Sequence, residues 1–255
     1  ETYRGGRLPV VSVCSKDPVQ LGQTRAYDRG AGDNFAFTSL NMPVDVQFAY
    51  IAAALPGMAN MAILVDRRNV SAVETQAKPM ADYARARGLK VFEIHVERPG
   101  AAAAELAQLM PQAVAAMRET DPDLSRSMFW ITGSTSVFRE IETINAHAGG
   151  APVLSVVPEV VTASAASAVM SIGISFDSNA HLAALYAVDV LLGRKRAGDL
   201  PVGIVSPPDI AINFMKAREI GLRVPFTFFE RATYLYGYDG ALIRDPTATA
   251  QADAR

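Results

Sequence analysis

Short apolar runs alternate along the chain with longer stretches in which apolar residues recur every three or four positions. The runs are Leu8–Cys14, Met61–Val65, Leu89–Val96, Met128–Thr132, Pro152–Val157 and Ala168–Ile174. Near-continuous apolar strands of this length fit a parallel sheet covered on both faces, because inside–outside alternation disappears when neither face meets water. The intervening segments predict helices. Val44–Leu55 follows Pro43, which suits a first helical turn, and Asn69–Arg87 stops before Gly88, with Pro79 expected to kink or divide it. Ala101–Glu119, Ser134–His147 and Ser178–Leu192 complete the set, the last two ending at glycines. Strands alternating with helices of this length build βαβ units, so the fold class is α/β with doubly wound, Rossmann-like lobes.

Five of the strands fall between Ala59 and Ile174, enough for one whole lobe. The flanking blocks predict a second, discontinuous lobe. The expected division is residues 1–40 plus 194–246 for an amino-terminal-type lobe and 41–193 for the other, with a hinge between them and a frayed tail over 247–255. Crossovers are expected near Phe35–Leu40 and between Gly193 and Pro208. The discontinuous lobe shows one convincing leading strand where three or four are needed, so it reads as incomplete, its missing strands preceding Glu1 in a parent protein.

Composition narrows the function. Of 255 residues, 50% are hydrophobic and 20% charged, which excludes disorder. Lys plus Arg number 24 against 26 Asp plus Glu, a net charge of −2, so no basic excess makes nucleic acid or an anionic membrane a default partner. One cysteine and three histidines cannot supply a Cys/His zinc site, and no metal or cofactor is expected. The most apolar stretch, Ala49–Val65, is broken by Pro56, Gly57 and Asn60, so no membrane insertion is expected.

No Walker A and no G-x-G-x-x-G sequence occurs. Gly133-Ser134-Thr135-Ser136 follows a strand as a nucleophile elbow does, yet lacks the second glycine. His95, His147 and His181 are too far apart for a local metal motif. More telling are two polar loops, Asp66–Ser71 and Thr132–Thr135, that follow apolar strands. Ligands of doubly wound sheets bind outside the carboxyl ends of strands, where helix N-termini offer unpaired N–H groups. Such residues are helix-capping types in any case, and both roles remain open for them.

The order of segments resembles the extracytoplasmic solute-binding proteins of ABC transporters with a type I periplasmic-binding fold, in the uncharacterised and aromatic-amino-acid-type group. Leu8-Pro9-Val10-Val11-Ser12-Val13 with Asp17-Pro18 resembles that family's strand and "DP" loop, and Leu55-Pro56 before Met61–Asp66 resembles a helix end and following strand. The carboxy-terminal part carries Ser171–Ile174, Leu191–Lys195, Leu200-Pro201-Val202, Ile212-Asn213, Ala217, Ile220-Gly221-Leu222 and Val224-Pro225 in the family's order. The resemblance spans Leu8 to about Thr233. It implies ligand contacts from Ser15 and Asp17, from Thr38 and Ser39, from Asn69 and Ser71, and from Ser134 and Thr135. Where the family commonly holds an aspartate for a ligand ammonium, this chain has Gly133. Asp177 is the candidate substitute, with Phe176 beside it as an aromatic face.

The resemblance implies a binding protein with no catalytic residues, acting as a monomer in the periplasm or otherwise outside the cytoplasm. Its partners would be a small organic solute and a membrane permease. Two other readings stay open: the ligand-sensing domain of a transcriptional regulator or sensor, and an enzyme working from Gly133–Ser136.

Overall fold

A computed structural model describes residues 3–245. The chain opens with β1 (Val10–Ser15) and β2 (Phe35–Ser39), then α1 (Val44–Ala54) and β3 (Asn60–Asp66). A composite helix follows, α2 (Val70–Ala72) passing through a π-helical turn, Val73–Ala77, into α3 (Lys78–Ala86). Pro79 sits just beyond that turn, and the widened hydrogen-bond spacing accommodates the proline without ending the helix. Gly88 closes it at φ +82°, a left-handed position that glycine adopts at no steric cost. Next come β4 (Lys90–Val96), α4 (Ala102–Arg118), β5 (Ser127–Ile131), α5 (Thr135–Phe138), α6 (Ile141–His147), β6 (Val153–Ser155) and β7 (Met170–Gly173). The chain ends with α7 (Phe176–Leu191), β8 (Gly203–Ile204), β9 (Asp209–Asn213), α8 (Phe214–Glu219), α9 (Phe226–Arg231), β10 (Tyr234–Tyr236) and β11 (Leu242–Arg244).

These elements form two compact units, one of Glu1–Met42 with Ile174–Pro208 and a larger one of Pro43–Gly173 with Asp209–Arg255. The division differs from the sequence expectation in two places. Residues 174–193 belong to the smaller unit, because α7 is tied to β1 and β2 by the side chain of Asn179. Residues 209–245 belong to the larger one, because β9 pairs antiparallel with β7, Met170 facing Ile212 and Gly173 facing Asp209. The expected crossover at Phe35–Leu40 is itself a strand, β2, and the unit boundaries fall instead after Met42, Gly173 and Pro208. The expectation for 247–255 lies outside the described residues.

The larger unit is built on an eight-stranded sheet ordered β11-β10-β9-β7-β6-β5-β3-β4, with β4, β3, β5, β6 and β7 all parallel. Met61 to Val65 in β3 are wholly inaccessible, as are Met128 and Phe129 in β5, which explains their unbroken apolar pattern. Leu106, Met110 and Met117 of α4 and Met80 and Ala84 of α3 complete that core. Gln47 of α1 donates its side-chain amide to the Ile172 carbonyl at 2.9 Å, anchoring α1 on β7.

The smaller unit has a three-stranded parallel sheet ordered β1-β2-β8. One apolar cluster holds Ala36, Ala197 and Leu200, with Val11, Tyr186 and Val190 packed around them, and Phe37, Ile174, Ala183 and Val202 are buried as well. Gly30 and Gly198 let two loops touch; a Cβ on Gly198 would lie 2.0 Å from the Asp33 carbonyl oxygen. Among the described residues no helix is long and apolar enough to cross a membrane.

Candidate functional site

Parallel strands hand their chain at the carboxyl end to helix N-termini, and two such exits of the larger unit are bonded to each other. Asp66, the last residue of β3, is buried; its Oδ2 accepts the Ser136 hydroxyl at 2.7 Å from the first turn of α5, just beyond the loop after β5, and its Oδ1 accepts the Arg68 N–H at 2.9 Å. The Asp66 N–H donates to Ser134 Oγ at 3.3 Å. A third link runs from the Gly133 N–H to Gln76 Oε1 at 2.8 Å, from a side chain on the π-helical turn. The two loops are therefore one preorganised polar platform, built of backbone amides, hydroxyls and one carboxylate.

Within that platform the sequence-predicted residues divide. Ser134 is fully buried; its hydroxyl lies 3.0 Å from that of Thr132, which donates to the Leu64 carbonyl at 2.9 Å. Its hydrogen bonds run within the platform, to Thr132 and the Asp66 N–H. Asn69 caps the composite helix, Oδ1 accepting the Ala72 N–H at 3.2 Å and the Ser71 hydroxyl at 2.9 Å. Asn69 and Ser71 remain half-buried and Thr135 is exposed at the first position of α5. The carboxylate joined to the Gly133 loop is Asp66 rather than Asp177, which lies in the other unit.

In the smaller unit the carboxyl ends of β1 and β2 meet the first turn of α7. Asn179 is fully buried: Oδ1 accepts the Cys14 N–H and the Thr38 hydroxyl, each at 2.8 Å, and its amide donates to the Ser39 carbonyl at 2.8 Å. Cys14 takes φ +57° at the register shift between Ser12 and Ser15 that presents its N–H to Asn179. One turn of helix thus gathers Ser15, Thr38, Ser39, Phe176 and Asp177, all predicted from sequence, at one end of one small sheet. Thr38 and Ser39 are buried and spent on the fold, Ser39 donating to the Lys16 carbonyl and accepting the Asn41 N–H at 3.0 Å. Ser15 is half-buried with its hydroxyl 2.7 Å from that of Ser12, Phe176 is 40% exposed and Asp177 is exposed.

Asp17 lies in the turn after β1. Its carboxylate is buried and accepts four donors: the N–H groups of Val19 and Gln20, the Gln20 amide and the Tyr27 hydroxyl at 2.6 Å. It organises the turn after β1. Burial and the adjacent Asp17 push the Tyr27 phenol up to about 12. Burial also holds the Lys16 ammonium below the usual lysine range.

Sequence reasoning missed Asp66, Gln76, Ser136 and Asn179 as organisers. Asn179 left a signal: it lies four residues before buried Ala183 and seven before Tyr186, on the inward stripe of α7. Ser134 hydrogen-bonds Thr132 and a backbone amide, and Ser136 bonds a carboxylate, so neither has the imidazole or amine partner that activates a serine. Among the described residues no three His, Cys, Asp or Glu side chains gather as a metal site.

No protein-family profile matches the chain, and no curated protein does. Solved structures do. A conserved domain protein from Vibrio cholerae is 20% identical with a TM-score of 0.68, over 89% of this chain and 71% of that one. A Streptococcus pneumoniae ABC domain in complex with L-Trp is 19% identical, TM-score 0.66, over 90% and 74%. A Clostridium difficile substrate-binding protein with adhesive properties, solved ligand-free and open, is 18% identical, TM-score 0.64, over 90% and 70%. The chain therefore has the type I periplasmic-binding fold of such substrate-binding proteins.

Proposed function

We propose that the protein is the solute-binding component of an ABC uptake transporter. It captures a small organic solute, whether a carboxylate, an amino acid or an aromatic compound, and delivers it to a membrane permease. It acts in the periplasm or elsewhere outside the cytoplasm, as a monomer, and performs no chemistry of its own. The observation that carries this reading is the joined pair of strand-end loops in the larger unit, where Asp66 and Gln76 fix the loop after β5 without any nucleophile–base pair. The fold shared with a tryptophan-bound ABC domain and a substrate-binding protein supports it.

In the larger unit the solute contacts are assigned to the half-buried or exposed groups Asn69, Ser71 and Thr135. Asp66 supplies the negative charge that Gly133 lacks, so a ligand ammonium is directed toward the β3 exit. A thermal-shift and calorimetric screen of amino acids, aromatic acids and short carboxylates tests the proposal. A true solute at a hundred times its Kd stabilises by about 2.7 kcal/mol, a rise of roughly 5–10 °C in Tm. A broad screen in which nothing binds below millimolar refutes it.

A further inference from the structure

The larger unit carries a groove on elements that the strand-end loops do not use. It lies between α1 and α9, has a volume of about 310 Å³ and is lined by Ala49, Tyr50, Ala53, Thr227, Phe228 and Arg231. Ala49 and Ala53 are one helical turn apart on the exposed side of α1, and their small side chains leave the space open. Phe228 is buried and meets Tyr50 edge to face, ring centroids 6.3 Å apart, so the wall is aromatic and fixed.

Arg231 is the one charge in the lining, and its local duties are already taken. It sits in the last turn of α9, where a cation ordinarily serves the terminal carbonyls. Here Arg244 does so, its guanidinium donating to the carbonyls of Phe229, Glu230 and Ala232 at 2.9, 3.1 and 2.9 Å. Among the described residues Arg231 has no carboxylate partner, and it is the arginine in that position that faces the groove. An aromatic-walled groove of ring size with an unspent guanidinium and a hydroxyl has a definite complement.

We propose that this groove is a second small-molecule site, selective for a compact amphipathic monocarboxylate: an aromatic ring or short aliphatic chain against Ala49, Ala53, Tyr50 and Phe228, and a carboxylate on Arg231. The volume lies at the small end of ligand pockets, which favours one ring over a larger ligand. The planar fork of arginine suits bidentate carboxylate binding.

Benzoate and hexanoate are the probes, benzyl alcohol the uncharged control, followed by calorimetry and by NMR of alanine-methyl-labelled full chain. Benzoate is expected to bind saturably, to shift the Ala49 and Ala53 methyls, and to bind at least tenfold more tightly than benzyl alcohol. Arg231→Gln is expected to weaken benzoate about tenfold or more, and Ala53→Phe to abolish it with the thermal melt unchanged. Should Ala53→Phe perturb the melt, Ala49→Leu narrows the same groove at another exposed position. The proposal is overturned by absence of binding at millimolar probe, by equal affinity for benzyl alcohol, or by binding that survives both variants. A concentration-dependent dimer that Ala53→Phe dissociates, with no benzoate binding, also overturns it and makes the groove a contact between copies.

Discussion

The two units of this chain hold themselves together by different means. In the larger one a run of five side chains in β3 is wholly removed from water, flanked by the equally buried β5 and by α3 and α4. In the smaller one the buried apolar side chains are few and mostly small or medium, Phe37 apart, while a polar residue, Asn179, makes three hydrogen bonds at the sheet's carboxyl end. Apolar burial is non-directional and grows with area, so it tolerates variation in any one contact. Hydrogen bonds to buried backbone groups are directional, and losing one partner leaves the other unsatisfied. The smaller unit is therefore the one in which a single polar side chain decides local order.

The contrast predicts which variants fail, and how. Phe129→Ala removes a fully buried ring from the middle of the large sheet and is expected to cost about 3–5 kcal/mol, lowering hydrogen-exchange protection throughout β3, β5 and β6. Asn179→Ala is expected to cost about 2–3 kcal/mol by removing the side-chain partner of the Cys14 N–H and the Ser39 carbonyl and leaving the Thr38 hydroxyl only its longer bond to the Ser12 carbonyl. Its signature is regional: amide protection falls in β1, β2 and the first turn of α7, with β3 and β5 unaffected. Uniform loss across both units would mean that Asn179 is not a local staple, and the comparison would collapse.

The same contrast sets what was legible in the sequence. Strands of the larger unit announce themselves because burial on both faces demands unbroken apolar residues: β4, β6 and β7 fall within the predicted runs, and β3 and β5 overlap theirs, starting one residue earlier at the polar Asn60 and Ser127. β2, with its two small polar residues in five, was read as a crossover, and β9, β10 and β11 went unseen because segments of three to five residues are defined by pairing more than by pattern. The same partners explain the misplaced boundaries, since 174–193 and 209–245 carry no local mark of the sheet they join. At the candidate site the residue types are legible in the sequence, but their partners are not. Serine, threonine and aspartate after a strand look alike whether they face a ligand, cap a helix or close a loop on itself. Only the partners distinguish them: Asp17 and Ser134 are consumed internally, whereas Asn69, Ser71 and Thr135 keep accessible surface.

A smaller effect tests whether the joined loops of the larger unit are a platform or merely two neighbours. Ser136→Ala deletes the bond to Asp66 Oδ2 while sparing the Arg68 N–H on Oδ1. Stability is expected to fall by about 1 kcal/mol. Affinity for a solute identified in the screen is expected to fall about five- to tenfold, because the loop after β5 is held by one link fewer, the Gln76 and Ser134 bonds remaining. Unchanged affinity alongside reduced stability would reduce the link to packing alone.

The smallest effect concerns the turn after β1, where the smaller unit again relies on a polar contact. The Tyr27 phenol is pushed up to about 12, first by burial and then by the hydrogen bond and charge of Asp17. Because the folded-state value exceeds the unfolded one near 10, the neutral phenol adds stability that is fully present below pH 10 and is lost as pH rises through about 12. Tyr186 and Tyr236 are also raised by burial, so the phenolate absorbance of the whole chain has several late contributors. The difference between wild type and Tyr27→Phe isolates one ionisation, expected near pH 12. In Asp17→Asn that step is expected to move toward 10 without reaching it, since burial is the larger cause and survives the substitution. A Tyr27 step already at 10 in the wild type would mean that the turn is open to water, and that the Asp17 carboxylate is not committed to the fold but available to a ligand after all.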